Sequence, residues 1–275
     1  MVFWSLPDET SGASQPASFL TKSLSVAHPQ GDDVVQCIAL GLVSFNFGIE
    51  QAMLTSKRWN TTHIYNFRDL LVSLGDAGGN DFVLGSEVGA VRKGLSHAQV
   101  DYQHVVQDAL PAAACSTNGA YLHIWNVRHQ SALLKASGTW TADWVYGTDM
   151  HWQAYDLLYG DAVQLAGLVV GNMHIPCGSA KKAPPLCARR GIVERALTAL
   201  STVHVDDWQG RQNFSVMRVL VGDCNLSKQE AQAATQKAKR PLLTESQQAM
   251  ETDRWQVCDV PFPRQALESA RKQNP

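Results

Sequence analysis

The sequence lacks any C-x-x-C pair. Its six cysteines stand singly at 37, 115, 177, 187, 224 and 258, which excludes the usual closed zinc sites. Cys177 and Cys187 flank one loop and are near enough in sequence to bridge it, but scattered reduced thiols are the expectation. No apolar run approaches the roughly 20 residues that cross a bilayer. The short apolar start, Met1 to Leu6, meets Asp8 and Glu9 too soon to form a secretory leader. A soluble intracellular protein without a membrane span is therefore expected. Neither sign of charge dominates: 23 basic against 25 acidic residues leave a net charge of -2. That speaks against wholesale coating of nucleic acid, which takes a basic excess, and leaves room for a local basic strip. There is no internal repeat and no heptad pattern. No histidine follows His204.

What is present describes an ordinary globular chain. It has 275 residues, 45% hydrophobic and 17% charged, enough to bury a core. Residues 1–32 are rich in Ser, Pro, Gly, Gln and Asp and read as a disordered leader. A single domain is expected over 33–262, followed by a frayed tail at 263–275. Val34–Phe47 suits a buried strand, Asn66–Leu74 a helix, and Phe82-Val83-Leu84 a short strand. A helix is expected over Ala98–Ala109. Tyr121–Arg128 alternates as a strand, with a stretch near Ala142–Tyr146 as its partner. Ala162–Val170 and Ser215–Val221 read as strands, and Gly191–Leu200 as a helix between them. Ser227–Lys239 is helical by composition, with Ser227 as N-cap and Glu230 closing a capping box. A last strand is expected at Trp255–Val260. Strands alternating with helices predict a mixed fold in which sheets pack against helices.

Four short motifs end apolar runs with polar groups: S-F-N-F (Asn46), G-S-E-V (Glu87), G-N-M-H-I-P (Asn172, His174) and V-L-V-G-D-C-N (Asp223, Asn225). Each falls at the end of an expected strand, where loops held by a rigid sheet present catalytic groups. Asp223 and Asn225 lie two apart and so project to one side, an acid to orient water and an amide to donate to an oxyanion. A turn in which both satisfy local backbone is the competing reading. Glu87 is a hard oxygen ligand suited to Mg²⁺ or Mn²⁺; a lone glutamate after a strand is otherwise structural. Asn172 and His174 again share one side, and the imidazole suits a phosphate contact or a leaving-group acid. Asn46 in a late strand position also fits a β-bulge.

Taken together and in this order, the motifs resemble the exonuclease–endonuclease–phosphatase superfamily over roughly 34–226. The resemblance implies a four-layer α/β sandwich, two packed mixed sheets flanked by helices, with one active site at the end of the sheets. It implies Mg²⁺ (or Mn²⁺) held by Glu87 and Asn46, and catalytic roles for Asn172, His174, Asp223 and Asn225. The substrate would be a phosphate ester in nucleic acid, inositol phosphate or a phospholipid head group, and a monomer is expected. Where the family has Gln-Glu, this chain has Ser86-Glu87. The family's terminal Ser-Asp-His has no counterpart; Asp259 in V-C-D-V-P-F is a poor match. Two expectations follow: a phosphoesterase whose final strand lies beyond Pro275, or a catalytically inactive binding or scaffold protein with the same fold. An unrelated α/β domain with chance matches is the third reading.

Lys181, Lys182, Arg189, Arg190 and Arg195 form a basic stretch after His174, read mainly as a solvated face, as are Lys237, Lys239 and Arg240. Trp140, Trp144 and Trp152 are expected to pack rather than to stack on a ligand. His123 and His129 have no metal-ligand spacing and are given structural roles.

Overall fold

In a computed structural model the chain is described over residues 2–3, 18–24, 38–46, 68–77, 80–88, 101–128, 132–143, 148–159, 163–176, 183–209, 211, 214–237 and 256–257. The expected tail at 263–275 lies outside these residues, as do Asp259, Trp144, His129, Cys177, Lys181 and Lys182.

The strands are β1 (Val2–Phe3), β2 (Ser18–Leu24), β3 (Ile38–Asn46), β4 (Phe82–Ser86), β5 (Ala114–Asn118), β6 (Tyr121–Trp125), β7 (Ala132–Asp143), β8 (Thr148–Tyr159), β9 (Val163–His174), β10 (Ser215–Asp223) and β11 (Gln256–Val257). The helices are α1 (68–72, running into a π turn at Ser73–Ala77), α2 (Tyr102–Ala109), α3 (Leu186–Ser201) and α4 (Lys228–Lys237). A six-stranded sheet runs β11-β1-β10-β9-β8-β7, and a five-stranded sheet runs β2-β3-β4-β6-β5. Both are mixed. The pairs β3/β4 and β9/β10 are parallel, whereas β7/β8/β9, β2/β3 and β4/β6/β5 are antiparallel.

Two of these strands lie in the segment expected to be a disordered leader. Ser18–Leu24 pairs antiparallel with β3 along its whole length, from Ser18↔Ser44 to Leu24↔Ile38, and Val2 pairs with Val219. Backbone pairing requires no hydrophobic signature in the strand that is added, so composition gave no warning. The expected partnership of Tyr121–Arg128 with 142–146 is also corrected. β6 lies between β4 and β5, and the second stretch belongs partly to β7 in the other sheet.

Three apolar layers explain the stacking. Leu40, Leu42, Phe82 and Leu84 of the smaller sheet meet Tyr155, Leu157, Leu168, Val170, Val219 and Val221 of the larger one. The outer face of the larger sheet packs on Ile192, Val193, Ala196, Leu197 and Leu200 of α3 and on Ala231 and Ala234 of α4. The outer face of the smaller sheet packs on Leu71 and Leu74 near α1 and on Tyr102 and Val106 of α2. This is the α/β/β/α sandwich expected for the chain. Each fully buried Leu, Val or Phe contributes about 1.5–3 kcal/mol, so the three layers together outweigh any local preference. The capping box at α4 forms as read: Ser227 N–H donates to Glu230 Oε2 at 2.8 Å and Glu230 N–H to Ser227 Oγ at 3.4 Å. No helix among the described residues is long and apolar enough to cross a membrane.

Topology sets where the polar ends meet. Parallel neighbours need a crossover, and two of the parallel pairs are strand–helix–strand units: β3-α1-β4 in one sheet, β9-α3-β10 in the other. Both members of such a unit finish at the same edge. Side-chain alternation does the rest. On β3 the inward residues run Leu40, Leu42, Ser44, Asn46; on β4 they run Phe82, Leu84, Ser86. On β9 they run Leu168, Val170, Asn172, His174, and on β10 Val219, Val221, Asp223. Each strand is apolar where the sheets press together and polar at its C-terminal end.

Candidate active site

The two parallel pairs bring their ends to one place. In register, His174 on β9 stands beside Asp223 on β10, and Asn46 on β3 beside Ser86 on β4. Polar contacts then cross from sheet to sheet. Asn46 Nδ2 donates to Asp223 Oδ2 at 3.4 Å. His174 Nε2 lies 3.0 Å from Glu87 Oε1, both side chains about one-fifth exposed. Asn172 Nδ2 donates to the Gly85 carbonyl at 2.8 Å, fully buried. The Tyr121 hydroxyl accepts from His174 N–H at 3.1 Å and donates to the Asp149 carbonyl at 2.7 Å.

The backbone is contorted where this happens. Three described non-glycine residues have positive φ, and two of them, Glu87 (53°) and Asn225 (48°), belong to the motifs. For Glu87 the left-handed conformation turns a residue that would face outward by alternation back toward His174. Such conformations cost on the order of 1–3 kcal/mol and collect at functional sites. Asn225 is held there by three bonds. Its N–H donates to Asp223 Oδ1 at 3.1 Å, its Nδ2 to the Ile175 carbonyl at 2.8 Å, and its own carbonyl accepts from Arg189 Nη1 at 2.9 Å. Arg189 also ties down the preceding loop, Nε to the Pro184 carbonyl at 2.9 Å. Gly222, at φ 117°, lets β10 pass close to β9; a Cβ there would stand 1.9 Å from the Met173 carbonyl oxygen.

Electrostatics follow from burial. Burial raises the Asp223 carboxyl above its ordinary range, and the Glu87 charge adds to this. The His174 imidazole, the Asn225 N–H and the Asn46 amide pull the other way and do not overcome it. A carboxylate made more basic in this way suits a proton acceptor.

All six residues singled out by motif thus lie at one end of the sandwich. Asn46, Glu87, His174, Asp223 and Asn225 are linked by the contacts above. Asn172 is wholly buried and fastens the sheets together, while the group bonded to His174 is Glu87. Two members were not read as site residues. Tyr121 begins a strand and carries no local motif. Arg189 was counted only as part of a basic face. Nearby Arg190 does lie on that face, 3.5 Å from Glu230, and Cys187 is an exposed free thiol. Trp140 and Trp152 pack against the outer core of the larger sheet.

No protein-family profile matches the chain, and no curated protein sequence matches it. Solved structures do resemble it. TDP2 of D. rerio, complexed with a single-strand DNA product, is 12% identical over 71% of this chain and 64% of its own, with a TM-score of 0.45. An endonuclease/exonuclease/phosphatase family protein of Bacteroides thetaiotaomicron is 10% identical over 71% of this chain and 67% of its own, TM-score 0.45. A mannosyl-6-phosphatase of the same organism is 12% identical over 72% and 71%, TM-score 0.46. The chain spans about two thirds of their lengths, and at this identity and overlap the likeness is one of fold alone.

Proposed function

We propose that the chain is a metal-dependent phosphoesterase of the exonuclease–endonuclease–phosphatase type, hydrolysing a phosphodiester or phosphomonoester by in-line attack of water. One observation carries the reading: Asn46, Glu87, His174, Asp223 and Asn225, drawn from both sheets, meet at the carboxyl ends of two parallel strand pairs. A turn or a capping role for each residue separately accounts for none of the contacts between sheets.

In this reading Asp223 accepts the proton of the attacking water as its oxygen bonds to phosphorus. The bond from phosphorus to the leaving oxygen breaks, and His174 protonates that oxygen. With Nε2 engaged by Glu87, the imidazole has Nδ1 left for the substrate. Asn225, fixed in its left-handed turn, has a second amide proton for a phosphoryl oxygen. The donor set fits Mg²⁺ or Mn²⁺. No three of His, Cys, Asp and Glu are grouped to hold an ion among the described residues, so a Glu87 carboxylate oxygen and the Asn46 amide oxygen would be the cation's few protein ligands. Few protein ligands and several waters are what Mg²⁺ prefers. A divalent cation bound there supplies positive charge to the phosphoryl oxygens. The substrate class spans nucleic acid, inositol phosphate and phospholipid head group, and the net charge of -2 does not select among them.

The alternative is a phosphate-binding protein of the same fold without turnover. Hydrolysis of bis(p-nitrophenyl) phosphate with and without Mg²⁺, comparing the native chain with Asp223→Ala, separates them. A metal-stimulated rate that drops about 10²–10⁴-fold in the variant is expected. Equal rates in the two proteins remove the mechanism, and inorganic phosphate binding without turnover in either supports the alternative.

A further inference from the structure

Between the sheets, one residue row deeper than His174 and Asp223, lies a polar patch that the proposed chemistry does not use. His123 on β6 pairs with Leu84 of β4, so its ring enters the space between the sheets. His151 on β8 pairs with Asn172 of β9 and enters from the other side. The two rings meet edge to face, 4.8 Å between centroids at 84°. Exposure is 0% for His123 and 4% for His151. Among the described residues, both nitrogens of His123 and Nδ1 of His151 have no hydrogen-bond partner, and neither do Asn172 Oδ1 and Ser86 Oγ on the adjoining strands.

We propose that His123 and His151 form a latch that positions the two halves of the site, holding the sheets together only while both imidazoles are neutral. The Asn46–Asp223, Glu87–His174 and Asn172–Gly85 contacts join one sheet to the other, so this part of the site exists only at one inter-sheet spacing. Asn172, which bridges the sheets to Gly85, stands beside His151 and is two residues from His174. Ser86 precedes Glu87. A change in spacing at the histidine pair therefore moves both sides of the Glu87–His174 contact.

Neutral imidazoles pack edge to face at the cost of their unpaired nitrogens, whereas a buried imidazolium without an anion costs far more. The titratable groups that alternation places on this face are Tyr121 on β6, Asp149 and Tyr155 on β8, His174 on β9, Asp223 on β10 and Glu87 after β4. The Tyr155 hydroxyl is bonded to Gln153, that of Tyr121 to the Asp149 carbonyl, Glu87 to His174, and Asp223 to Asn225 and Asn46. Among the described residues, β3, β5 and β7 present the neutral Ser44, Ser116 and Thr139 there. No carboxylate offsets the burial: burial alone lowers His151 from 6.5 to about 4, and burial followed by the presence of His151 lowers His123 well below its usual value. A histidine depressed in the folded state takes up its proton on unfolding. Its contribution to stability is complete above 6.5 and is lost as the pH falls from there toward about 4.

The inference rests on the phosphoesterase reading for its consequence but not for its test. Urea unfolding of the native chain and of His123→Gln/His151→Gln is measured between pH 7.5 and 4.5, with histidine C2-proton NMR of the folded native protein. His151 alone shifts the native unfolding equilibrium about 30-fold toward the unfolded chain at pH 5.0, from a folded value of about 4 against 6.5. His123 adds to that, and the double variant follows a flatter curve. Two of the nine histidines keep unshifted C2 protons down to pH 5 in the folded native protein. Phosphodiester hydrolysis, taken relative to each protein's own rate at pH 7.5, falls more steeply on the acid side for the native chain. Coincident stability curves for the two proteins, or either ring titrating near 6.5 in the folded state, would overturn the latch. If the variant does not fold, the NMR arm on the native protein decides alone. If the stability and NMR results hold but no hydrolysis is seen, the latch stands and the phosphoesterase reading fails.

Discussion

Replacing Gly222 by alanine tests the close approach of β9 and β10 on which the site depends. The added methyl would start 1.9 Å from the Met173 carbonyl oxygen, and real Cβ contacts essentially never fall below 3.0 Å. The Met173 peptide must therefore retreat by about 1 Å, a backbone shift that no rotamer change can absorb. Alanine must also hold φ 117°, far from any favoured region for an L-residue. The conformational strain comes to about 1–3 kcal/mol and the overpacking to about 1–3 kcal/mol, so Gly222→Ala should lose about 2–6 kcal/mol. Against a typical total of roughly 5–15 kcal/mol that is a large share. Gly119→Ala is the control. It also has positive φ (57°), but nothing lies within 4 Å of its Cβ, so only the conformational loss of about 1–2 kcal/mol remains. Urea unfolding followed by tryptophan fluorescence, with the m-value checked for constancy, measures both. Met173 sits between Asn172 and His174, so hydrolysis should fall at least about tenfold in folded Gly222→Ala, as a displacement of about 1 Å allows. Equal stability losses in the two variants would refute the reasoning.

Asp223→Asn should raise the urea midpoint at pH 7.5 while abolishing hydrolysis. A carboxyl raised by burial stabilises the fold only at pH values low enough to protonate it and opposes folding once ionised, so the isosteric amide removes that opposition; a lower midpoint would contradict the assignment. Added Mg²⁺ should raise the melting temperature of the native chain and not that of Glu87→Gln, read by thermal unfolding without any substrate. Arg189→Met removes the donors to Pro184 and Asn225 and should cost about 1.5–3 kcal/mol, with a fall in kcat larger than any change in KM, because Asn225 is then free to leave its left-handed turn. Ser227→Ala breaks the capping box of α4 and should cost about 1 kcal/mol with no change in hydrolysis.

Much of the site was legible in the chain because alternation is a local rule. Leu168, Val170, Asn172 and His174 fall on one side of a strand wherever that strand is placed, and the same holds for Val219, Val221 and Asp223. The capping box at Ser227 and Glu230 was likewise readable, since both partners lie within one helical turn. The hairpin β5–β6 was overlooked. Its signal was present in Asn118-Gly119, where Asn118 pairs with Tyr121 across a turn with glycine first. The 12-residue strand β8 gave a weaker signal. It is buried on both faces and carries His151, Gln153 and Asp156 among its apolar residues, so no polar-apolar alternation survives.

What the residues alone determined is therefore where the motif-bearing strands lie and the side of each on which polar groups gather, because both depend on neighbours two to four positions away. The pairing of Glu87 with His174, the service of Asn172 as a tie between sheets, the role of Arg189 and the meeting of His123 with His151 were decided only by the folded sandwich. Each joins segments tens of residues apart, and their separation is fixed by how two apolar faces fill the space between them, a quantity that no local pattern encodes.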